Sequence, residues 1–346
     1  PTGTQRQQVV ELCAADICKR LGISGGRQFV VKNSIGNEIP SQLTHDGKIL
    51  VEIAVAPSSS ATITIATGLP KSYVNTCYGR MYPERVDDIA WENDRGAYRC
   101  YGPALQASGE QAFGNDVWVK NTPDLVVESR YHNELVNKLS YHVDRGYGLD
   151  CYKVGPTLGC GTPAIIEGDN IRFPYCWTAY EILDNGPLRF TVRLDYGANG
   201  EHRIMSLDKG SNFNKMTVWY DAITTPVDVA SGLVIHTEDT ESVVLGKDYV
   251  QYADPTDNPK AQNFQIYVAA IFLDGVDATR KVMYQNPVRG NAGHALGIKK
   301  GLQPNEKFTY YFGSSWSKYD CRNQKEWQMR IDNFKLALAQ PLEIIL

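Results

Sequence analysis

Several signals are missing from this sequence, and each absence removes a class of function. No apolar run approaches the roughly 20 residues that a membrane-spanning helix needs. The formal net charge is −4, so no basic excess favours binding to nucleic acid. The eight cysteines include no Cys-x-x-Cys pair and no zinc-finger spacing. We therefore predict no membrane span, no nucleic-acid partner and no zinc site, and we expect most cysteines to be free.

Signatures of common enzyme classes are also absent. The chain has no Gly-x-Ser-x-Gly elbow, no His-Glu-x-x-His motif and no EF-hand-like acidic loop. The Gly-dense run 146–161 contains neither a dinucleotide-binding fingerprint nor a phosphate-binding loop. Serine hydrolases, zinc proteases and nucleotide-binding proteins are therefore disfavoured, and we predict neither a metal site nor a cofactor.

The residues that are plentiful favour an all-β fold. Thirty Gly, 17 Pro and 20 Tyr accompany many short segments of alternating polarity. The clearest segment, 188–196, alternates apolar and polar residues as an antiparallel strand with one solvated face does. Helical patterns are few, at 133–140 and at 327–338, where a strand is the alternative. We predict a small N-terminal β-sandwich lobe over 1–70 and a large antiparallel β-supersandwich over 71–346.

The segment 91–103 is dense in charged and aromatic residues. Read as one extended chain, it places two groups of side chains on opposite faces. One face would carry Trp91, Asn93, Arg95, Arg99 and Tyr101, and the other Glu92, Asp94 and Tyr98. Such a surface is typical of a polar, aromatic-lined cleft that binds sugars, with Glu92 and Asp94 as a carboxylate pair for glycoside hydrolysis.

Two histidines are candidate functional groups. His142 and Asp144 share a face if their segment is extended, and a carboxylate beside an imidazole favours a general acid or base. The alternative is a His-Asp hydrogen bond that holds a loop. His294, within a Gly-Ala-rich stretch, is a second candidate, although a lone histidine is more often structural.

Further sugar-binding candidates lie in two aromatic segments. In the Gly-dense run, Tyr152 offers a stacking face, and Asp150 or Lys153 could bind sugar hydroxyls. A tight β-hairpin explains the same glycines equally well. Near the C-terminus, Trp316 and Tyr319 are predicted in an exposed Ser/Gly/Lys-rich loop, where aromatic side chains often serve recognition.

Taken together, these segments resemble the family called domain of unknown function 4861, known from Bacteroides-type polysaccharide-utilisation loci. The matching pieces are 90–95, 101–104, 116–120, 140–144, 148–161, 310–313 and 316–318. The resemblance implies a galactose-mutarotase-like supersandwich and a setting among exported enzymes that degrade pectin-like, uronate-containing glycans. It also implies a periplasmic or cell-surface location, and the start at Pro1 without Met fits the removal of an export signal.

The leading hypothesis is a carbohydrate-active enzyme that acts on uronate-containing oligosaccharides by hydrolysis or by β-elimination. For elimination, Arg95 or Arg99 would neutralise the uronate, His142 would be the base oriented by Asp144, and Tyr152 would be the acid. The predicted substrate-binding residues are Arg95, Arg99, Tyr101, Lys153, His294, Trp316 and Tyr319. A non-catalytic glycan-binding protein and a sugar mutarotase or epimerase remain the alternatives.

Overall fold

The computed structural model describes residues 5–24, 28–258 and 263–346. Within them the chain forms 24 strands and four α-helices. The strands are β1 (Arg6–Cys13), β2 (Phe29–Lys32), β3 (Glu38–Ile39), β4 (Ser41–Leu43), β5 (Lys48–Val55), β6 (Thr64–Thr67), β7 (Tyr78–Tyr82), β8 (Asp88–Glu92), β9 (Ala97–Cys100), β10 (Asp116–Val119), β11 (Leu149–Asp150), β12 (Ala164–Glu167), β13 (Asn170–Arg172), β14 (Trp177–Asn185), β15 (Arg189–Tyr196), β16 (Glu201–Asp208), β17 (Phe213–Tyr220), β18 (Val227–His236), β19 (Val244–Leu245), β20 (Tyr249–Asp254), β21 (Ile266–Ile271), β22 (Ala278–Val288), β23 (Asn291–Leu302) and β24 (Phe308–Trp316). The helices are α1 (Ala14–Leu21), α2 (Pro103–Ala107), α3 (Val127–Leu135) and α4 (Gln324–Ala339).

The N-terminal part contains two small sheets. One has the strand order β1-β5-β4 and the other β3-β2-β6. Their apolar residues, together with Ile17 of α1, form a hydrophobic cluster of their own, against which Leu342 from the C-terminal segment packs. The sheets end at Thr67, while the boundary between domains at residue 70 stays a prediction.

The rest of the chain forms three larger sheets. The largest has eight strands in the order β14-β15-β16-β17-β24-β21-β20-β19. The other two have five strands each, in the orders β11-β10-β9-β8-β7 and β13-β12-β18-β23-β22. Isolated bridges from Asn115 to Gly159 and from Cys160 to Leu233 connect these two along the chain. All the strand pairs in the three sheets are antiparallel, so the predicted all-β architecture is confirmed.

One large apolar core joins the eight-stranded sheet to the strands that cover it. The Trp91 ring of β8 lies 6.2 Å from the Phe190 ring of β15 and donates from Nε1 to the Asn214 side chain at 2.7 Å. The strand predicted at 188–196 is confirmed as β15, in which Phe190, Val192 and Leu194 are buried. Apolar side chains at every second position therefore hold the two layers together.

Helices α3 and α4 begin where side chains bind their first free N–H groups. Asn323 caps α4 by accepting from the backbone N of Glu326 at 3.0 Å, and Trp327 and Ile331 bury its inner face. The helix predicted at 133–140 is shifted, because Glu92 accepts from Val126 N and Val127 N and so starts α3 earlier. Of the two alternatives for 327–338, the helix is correct.

The structure bears on three of the predictions, which concern disulfide bonds, membrane-spanning helices and metal sites. All eight cysteines lie in the described ranges and are free. No helix of residues 5–24, 28–258 and 263–346 has the length and apolar character to cross a bilayer. Over the same ranges, no group of three or more His, Cys, Asp or Glu side chains is arranged to hold a metal ion.

Candidate functional site

The residues at 91–101 form a tight hairpin instead of one extended strand. Asn93 Oδ1 accepts from the backbone N of Arg95 at 2.8 Å and of Gly96 at 3.1 Å, so the chain reverses between β8 and β9. Trp91 and Tyr98 therefore pair across the hairpin and both enter the core. The predicted division of this segment into two faces is wrong, because the turn resets the alternation.

Strand register brings four charged residues to one face of this sheet, the face opposite to the one from which Trp91 and Tyr98 enter the core. Arg99 pairs with Ala90 on one side and with Asp116 on the other, and paired residues share a face. Asp88 lies two residues from Ala90, and Asp150 pairs with Trp118, two residues from Asp116. Because alternate residues of a strand share a face, all four charged side chains meet.

The resulting Arg99 cluster, made of Arg99, Asp88, Asp116 and Asp150, contains one cation and three carboxyl groups. The Arg99 guanidinium donates to Asp116 Oδ2 and to Asp150 Oδ2, the latter at 2.9 Å. Its Nη1 lies 3.6 Å from Asp88 Oδ2, to which the Tyr131 hydroxyl also donates at 3.0 Å. All four charged side chains are buried, so the cluster holds an excess of negative charge in a poorly solvated place.

Burial raises the pKa of two carboxyl groups of the cluster. Burial, partly offset by Arg99, raises the pKa of Asp88 to about 6. Burial and the neighbouring Asp116 together raise the pKa of Asp150 to about 7, against the opposing effect of Arg99. A buried carboxyl that holds its proton near neutral pH is a frequent feature of catalytic sites.

Two tyrosine hydroxyls bind the Arg99 guanidinium. The Tyr101 hydroxyl accepts from Arg99 Nη2 at 3.2 Å, and this side chain is half-buried. The Tyr141 hydroxyl accepts from Arg99 Nη1 at 3.3 Å and from Arg85 Nη2 at 3.1 Å. Two guanidinium groups thus converge on one phenol.

His142 lies at the outer edge of the cluster. Its Nδ1 is 2.9 Å from the backbone carbonyl O of Asp150, and a carbonyl only accepts, so Nδ1 carries the hydrogen. Nε2 is then the basic nitrogen, and 52% of the side chain is exposed. The ring centroid is 4.6 Å from that of Tyr141. The geometry provides an accessible imidazole base beside a phenol and two cations.

Comparison with known proteins places the chain in a family. The model for Domain of unknown function (DUF4861) matches residues 2–344. The chain belongs to the DUF4861 family. The family assignment predicted from the sequence is confirmed.

One protein sequence and two solved structures illustrate what this DUF4861 chain is similar to. Uncharacterized protein P7 of Formosa agariphila is 28% identical over 287 residues, which cover 78% of this chain and 69% of P7. A glycosyl hydrolase family 38 protein from Enterococcus faecalis has a TM-score of 0.47 at 9% identity, with 95% of this chain and 45% of that chain covered. An alpha-mannosidase from Enterococcus faecalis V583 has a TM-score of 0.44 at 10% identity, with coverages of 95% and 44%. The chain spans less than half the length of these two structures.

In the DUF4861 chain, Asp144 does not orient His142. Its Oδ1 accepts from the backbone N of Gly146 at 2.9 Å and of Gly148 at 3.0 Å, and its Oδ2 binds Lys318. The segment turns here and is not extended, so the basis for the predicted pairing is wrong. The backbone carbonyl of Asp150 holds the imidazole instead.

The carboxylates proposed for hydrolysis are both engaged elsewhere. Glu92 is buried, lies 2.7 Å from Lys120 Nζ and caps α3. Asp94 Oδ1 accepts from the backbone N of Gly210 at 2.7 Å. Glu92 ends β8 and Asp94 lies within the hairpin turn, and because they bind different partners they do not form a cleft pair.

The predicted recognition residues near the C-terminus are not exposed as a group. Trp316 is buried and donates from Nε1 to the carbonyl O of Asn263 at 2.8 Å, because β24 continues through it. The prediction that Trp316 lies in an exposed loop is therefore wrong. Tyr319 is half-buried, and Arg95 lies 3.3 Å from Asp320 at the other end of the hairpin.

The three other predicted site residues, His294, Tyr152 and Lys153, are not members of the Arg99 cluster. His294 is fully buried, accepts from the backbone N of Leu158 at 3.1 Å, and has its pKa lowered by burial to about 3. Tyr152 is buried two residues after Asp150, and Lys153 lies 3.6 Å from Glu238. A neutral buried histidine matches the structural interpretation of His294.

Sequence reasoning did not identify Asp88, Asp116, Tyr141 or Arg85 as site residues. The two aspartates share one signal, because each begins a short strand in which the next three residues are apolar or aromatic. A charged residue inside such a strand must find a partner. The register of the strands decides which residue becomes that partner. A charged residue in an apolar strand therefore indicates that Asp88 and Asp116 are paired, but not with which residues.

Proposed function

We propose that this chain is a carbohydrate-active enzyme that cleaves uronate-containing, pectin-like glycans by β-elimination at the Arg99 cluster. The observation that carries the proposal is the orientation of His142. Its Nδ1 hydrogen is bound by the Asp150 carbonyl, which leaves Nε2 as an accessible base beside Tyr141 and Arg85. An accessible base, a phenol and a cation are the groups that elimination needs.

Arg85 is the cation suited to the uronate carboxylate. Elimination needs a positive charge at that carboxylate, because neutralising it makes the C5 proton removable. Arg99 already binds three carboxyl groups and Arg95 binds Asp320. Arg85, in contrast, is half-buried and makes no ion pair with a residue that the structure describes, and its contact is the Tyr141 hydroxyl. Its Nε and Nη2 donate to that hydroxyl, whereas Nη1 donates to no described residue and is open to a carboxylate.

The proton transfers follow from the positions of His142 and Tyr141. His142 Nε2 takes the C5 proton, and the Tyr141 hydroxyl donates to the glycosidic oxygen as its bond to C4 breaks. The Asp150 carboxyl Oδ2 lies 3.7 Å from His142 Nδ1. This arrangement assigns the acid role to Tyr141, whose ring lies beside that of His142, whereas the Tyr152 ring lies against His236.

Hydrolysis is a second candidate, and one observation favours it. Asp150, with its pKa raised to about 7, lies beside Asp116 and could act as the general acid of a carboxyl pair. Its side chain is only 3% exposed, however, and His142 lies over it. Substrate would have to displace His142 before reaching Asp150, so we place elimination first.

The proposal also covers the cellular location of the enzyme. The family resemblance implies export, and we propose a periplasmic or cell-surface location, where large glycans are accessible. Fractionation of the native host with an antibody to the chain would test it. Recovery of the protein in the cytosolic fraction would contradict this part of the proposal.

The decisive experiment is incubation of the purified protein with pectic and other uronate-rich glycans. Elimination should raise the ultraviolet absorbance of unsaturated uronate, while hydrolysis should add the mass of one water without that absorbance. His142→Ala should abolish the absorbance gain. His132→Ala, which replaces an exposed histidine on α3, is the matched control and should retain it.

Two results would contradict the proposed reaction. Full activity in His142→Ala would remove the assigned base. Measurable affinity for a glycan with no product from any of them would favour the non-catalytic glycan-binding alternative, and a change of anomer ratio alone would favour a mutarotase.

A further inference from the structure

An open cleft of about 640 Å³ lies between β1, the eight-stranded sheet and α4. Its volume is within the range of pockets that hold small ligands, roughly 300–1,000 Å³. Residues 5–11 line it from the N-terminal part of the chain, and residues 330, 333, 334, 337 and 338 line it from one stripe of α4. We call this space the β1 cleft. No member of the Arg99 cluster lines it.

Strand register places three polar side chains in a row on the sheet face that lines the β1 cleft. Ser206 of β16 pairs with Lys215 of β17, and Lys215 pairs in turn with Tyr311 of β24. Paired residues share a face, and their Cβ atoms are about 5 Å apart. Lys215 is exposed and the other two are half-buried. Within the described residues, none of the three side chains has a hydrogen-bond or ion-pair partner, so all three are free to bind a ligand.

Two cations of the β1 cleft have no carboxylate partner among the described residues. One is Lys215 of the row. The other is Arg6 of β1, which donates from Nη1 to the carbonyl O of Gln340 at 2.5 Å but has no described partner for Nη2. Arg6 is only 7% exposed, and a buried guanidinium without a counter-ion is costly. An anionic group in the cleft would compensate both charges.

The remaining cations of the lining are paired. Their ion pairs are those of Arg189 with Glu11 and Asp208, of Lys209 with Glu52, and of Arg330 with Asp320. Arg189 serves two carboxylates, and this surplus of one negative charge is smaller than the two charges of Arg6 and Lys215. The whole chain has a net charge of −4, so the cleft is a local exception. It therefore favours an anionic ligand over a neutral or cationic one.

The α4 side of the β1 cleft contributes an apolar surface. The Phe334 ring is half-buried, and its centroid lies 4.5 Å from that of Phe213 and 5.0 Å from that of Tyr311. A matching ligand combines negative charge and hydrogen-bonding groups with an apolar face. A uronate sugar has all three, because its carboxylate and hydroxyls accompany a ring face of C–H groups that packs on aromatic side chains.

We propose that the β1 cleft is a second binding site for a uronate-containing oligosaccharide, separate from the Arg99 cluster. Lys215 and Arg6 balance the carboxylate, while Ser206 and Tyr311 bind sugar hydroxyls. The described lining contains no histidine, so the cleft holds the glycan and does not repeat the chemistry assigned to His142. The choice of a glycan rests on the proposed function, whereas the need for an anion rests on the charges alone.

Calorimetric titration of the His142→Ala protein tests the proposal, because the assigned base is missing and the probes are not consumed. The probes are a galacturonate trisaccharide, a galactose trisaccharide and a tri-aspartate peptide. We expect the galacturonate probe to bind at two sites. Adding Lys215→Met should weaken one of them about tenfold, which corresponds to one lost charge-assisted hydrogen bond, and adding Arg85→Met should weaken the other.

The matched control is Lys325→Met, because this exposed lysine lies on α4 and does not line the cleft. It should leave both sites unchanged. Tyr311→Phe is a second variant, and it should weaken the same site as Lys215→Met. Neither variant should lower the midpoint of thermal unfolding, since neither polar group has a partner within the described residues. Lys215→Met alone should also cleave the galacturonate trisaccharide at the wild-type rate.

Four results would overturn the second site. The first two are no binding of the galacturonate probe and unchanged affinity for it in both Lys215→Met and Tyr311→Phe. Equal affinity for the galactose trisaccharide would remove the need for an anion, and equal affinity for tri-aspartate would assign the cleft to acidic peptides. Failure of the proposed elimination has a different signature, in which Lys215→Met weakens one site but the wild type forms no unsaturated product. In that case the β1 cleft stands and the reaction does not.

Discussion

Two groups of buried charges lie on the same sheet face, and they differ in balance. Lys120 and Glu92 form one pair, in which Lys120 Nζ also donates to the carbonyl O of Asn93 at 2.6 Å and Glu92 caps α3. In the Arg99 cluster one guanidinium serves three carboxyl groups, and Arg99 Nε and Asp88 Oδ1 have no partner within the described residues.

This difference in charge balance distinguishes buried charges that stabilise the fold from buried charges that are available for chemistry. In the balanced pair the two charges compensate each other and the hydrogen bonds of Lys120 are completed, while burial, partly offset by Glu92, lowers the pKa of Lys120. An unbalanced cluster shifts its carboxyl pKa values toward neutral, as for Asp88 and Asp150. We therefore assign structure to the Lys120 pair and function to the Arg99 cluster.

Removing the shared cation should have the largest effect. Arg99→Met leaves three buried carboxyl groups without a positive charge, and we expect a loss of about 5 kcal/mol in the free energy of unfolding at pH 8. The loss should shrink at pH 5, where the carboxyl groups can bind protons. Urea titrations at both pH values measure it.

The control for this variant is Arg172→Met, which removes an exposed arginine paired with Glu167. Its effect should stay below about 1 kcal/mol at both pH values. A loss for Arg99→Met that is as small as that of the control would show that the cluster is already neutral in the folded protein.

Breaking the balanced pair should cost less. Lys120→Met leaves Glu92 buried, but Glu92 still accepts from two backbone N–H groups, so we expect a loss of about 3 kcal/mol. Adding Glu92→Gln should recover part of that loss, since the amide oxygen can still cap α3. If the double variant is less stable than Lys120→Met, the charge on Glu92 is needed for the cap, and the assignment of a simple pair fails. Chemical unfolding of both variants gives the answer.

The parts of the fold that depend on local sequence could be predicted. Alternating polarity predicted β15, and free cysteines were expected from the size of the chain and from the apolar surroundings of several of them. The hairpin at 93–96 was missed although Asn93 and Gly96 are turn residues, because the surrounding charges were interpreted as a cleft. Likewise Ser314 and Ser315 have the composition of a loop, yet they are buried in β24 and carry Trp316 inward.

The Arg99 cluster could not be predicted from local patterns. Asp88, Asp116 and Asp150 lie far apart in sequence and meet only through the register of β8, β9, β10 and β11. Register is set by the packing of whole sheets, which a single sequence does not reveal. His142 was found from its residue type, whereas its partner, the Asp150 carbonyl, is a backbone atom without any sequence signature.

Neutralising one carboxyl of the cluster should change the pH dependence of stability. The folded pKa of Asp150, about 7, lies above its ordinary value of 3.8, so the folded protein binds more protons between these values and wild-type stability falls as pH rises through this range. Asp150→Asn cannot ionise, so its stability should fall less steeply between about pH 4 and 7. Unfolding titrations at one-unit pH steps measure the slopes.

Asp169→Asn is the matched control, because that carboxylate is exposed and pairs with Arg280 at the surface. We expect its curve to run parallel to that of the wild type. An Asp150→Asn curve that also runs parallel would mean that Asp150 is ionised throughout, and the contrast with the Lys120 pair would then lose its basis.

The smallest effect is expected at a surface site with a similar excess of acid. His202 lies between Asp195 and Asp221, with Nε2 2.9 Å from Asp221 Oδ2. Burial opposes the imidazolium, but hydrogen bonds to both carboxylates outweigh it and raise the pKa of His202. A raised histidine pKa gives stability that is complete below the ordinary value of 6.5 and is lost as pH rises through the folded pKa.

His202→Gln should therefore cost less than about 1 kcal/mol at pH 5 and nothing measurable at pH 9, in urea titrations at both pH values. Equal losses at the two pH values would show that packing on Trp219, and not charge, is what His202 contributes. The His202 site separates burial from the excess of negative charge, two causes that act together around Arg99. It has two carboxylates for one cation but is open to water, which screens the excess charge. A small loss of stability for His202→Gln beside a large one for Arg99→Met would show that an excess of carboxylates has little effect when water surrounds it. The raised carboxyl pKa values of the Arg99 cluster would then be due to burial of the excess negative charge, and not to the excess alone.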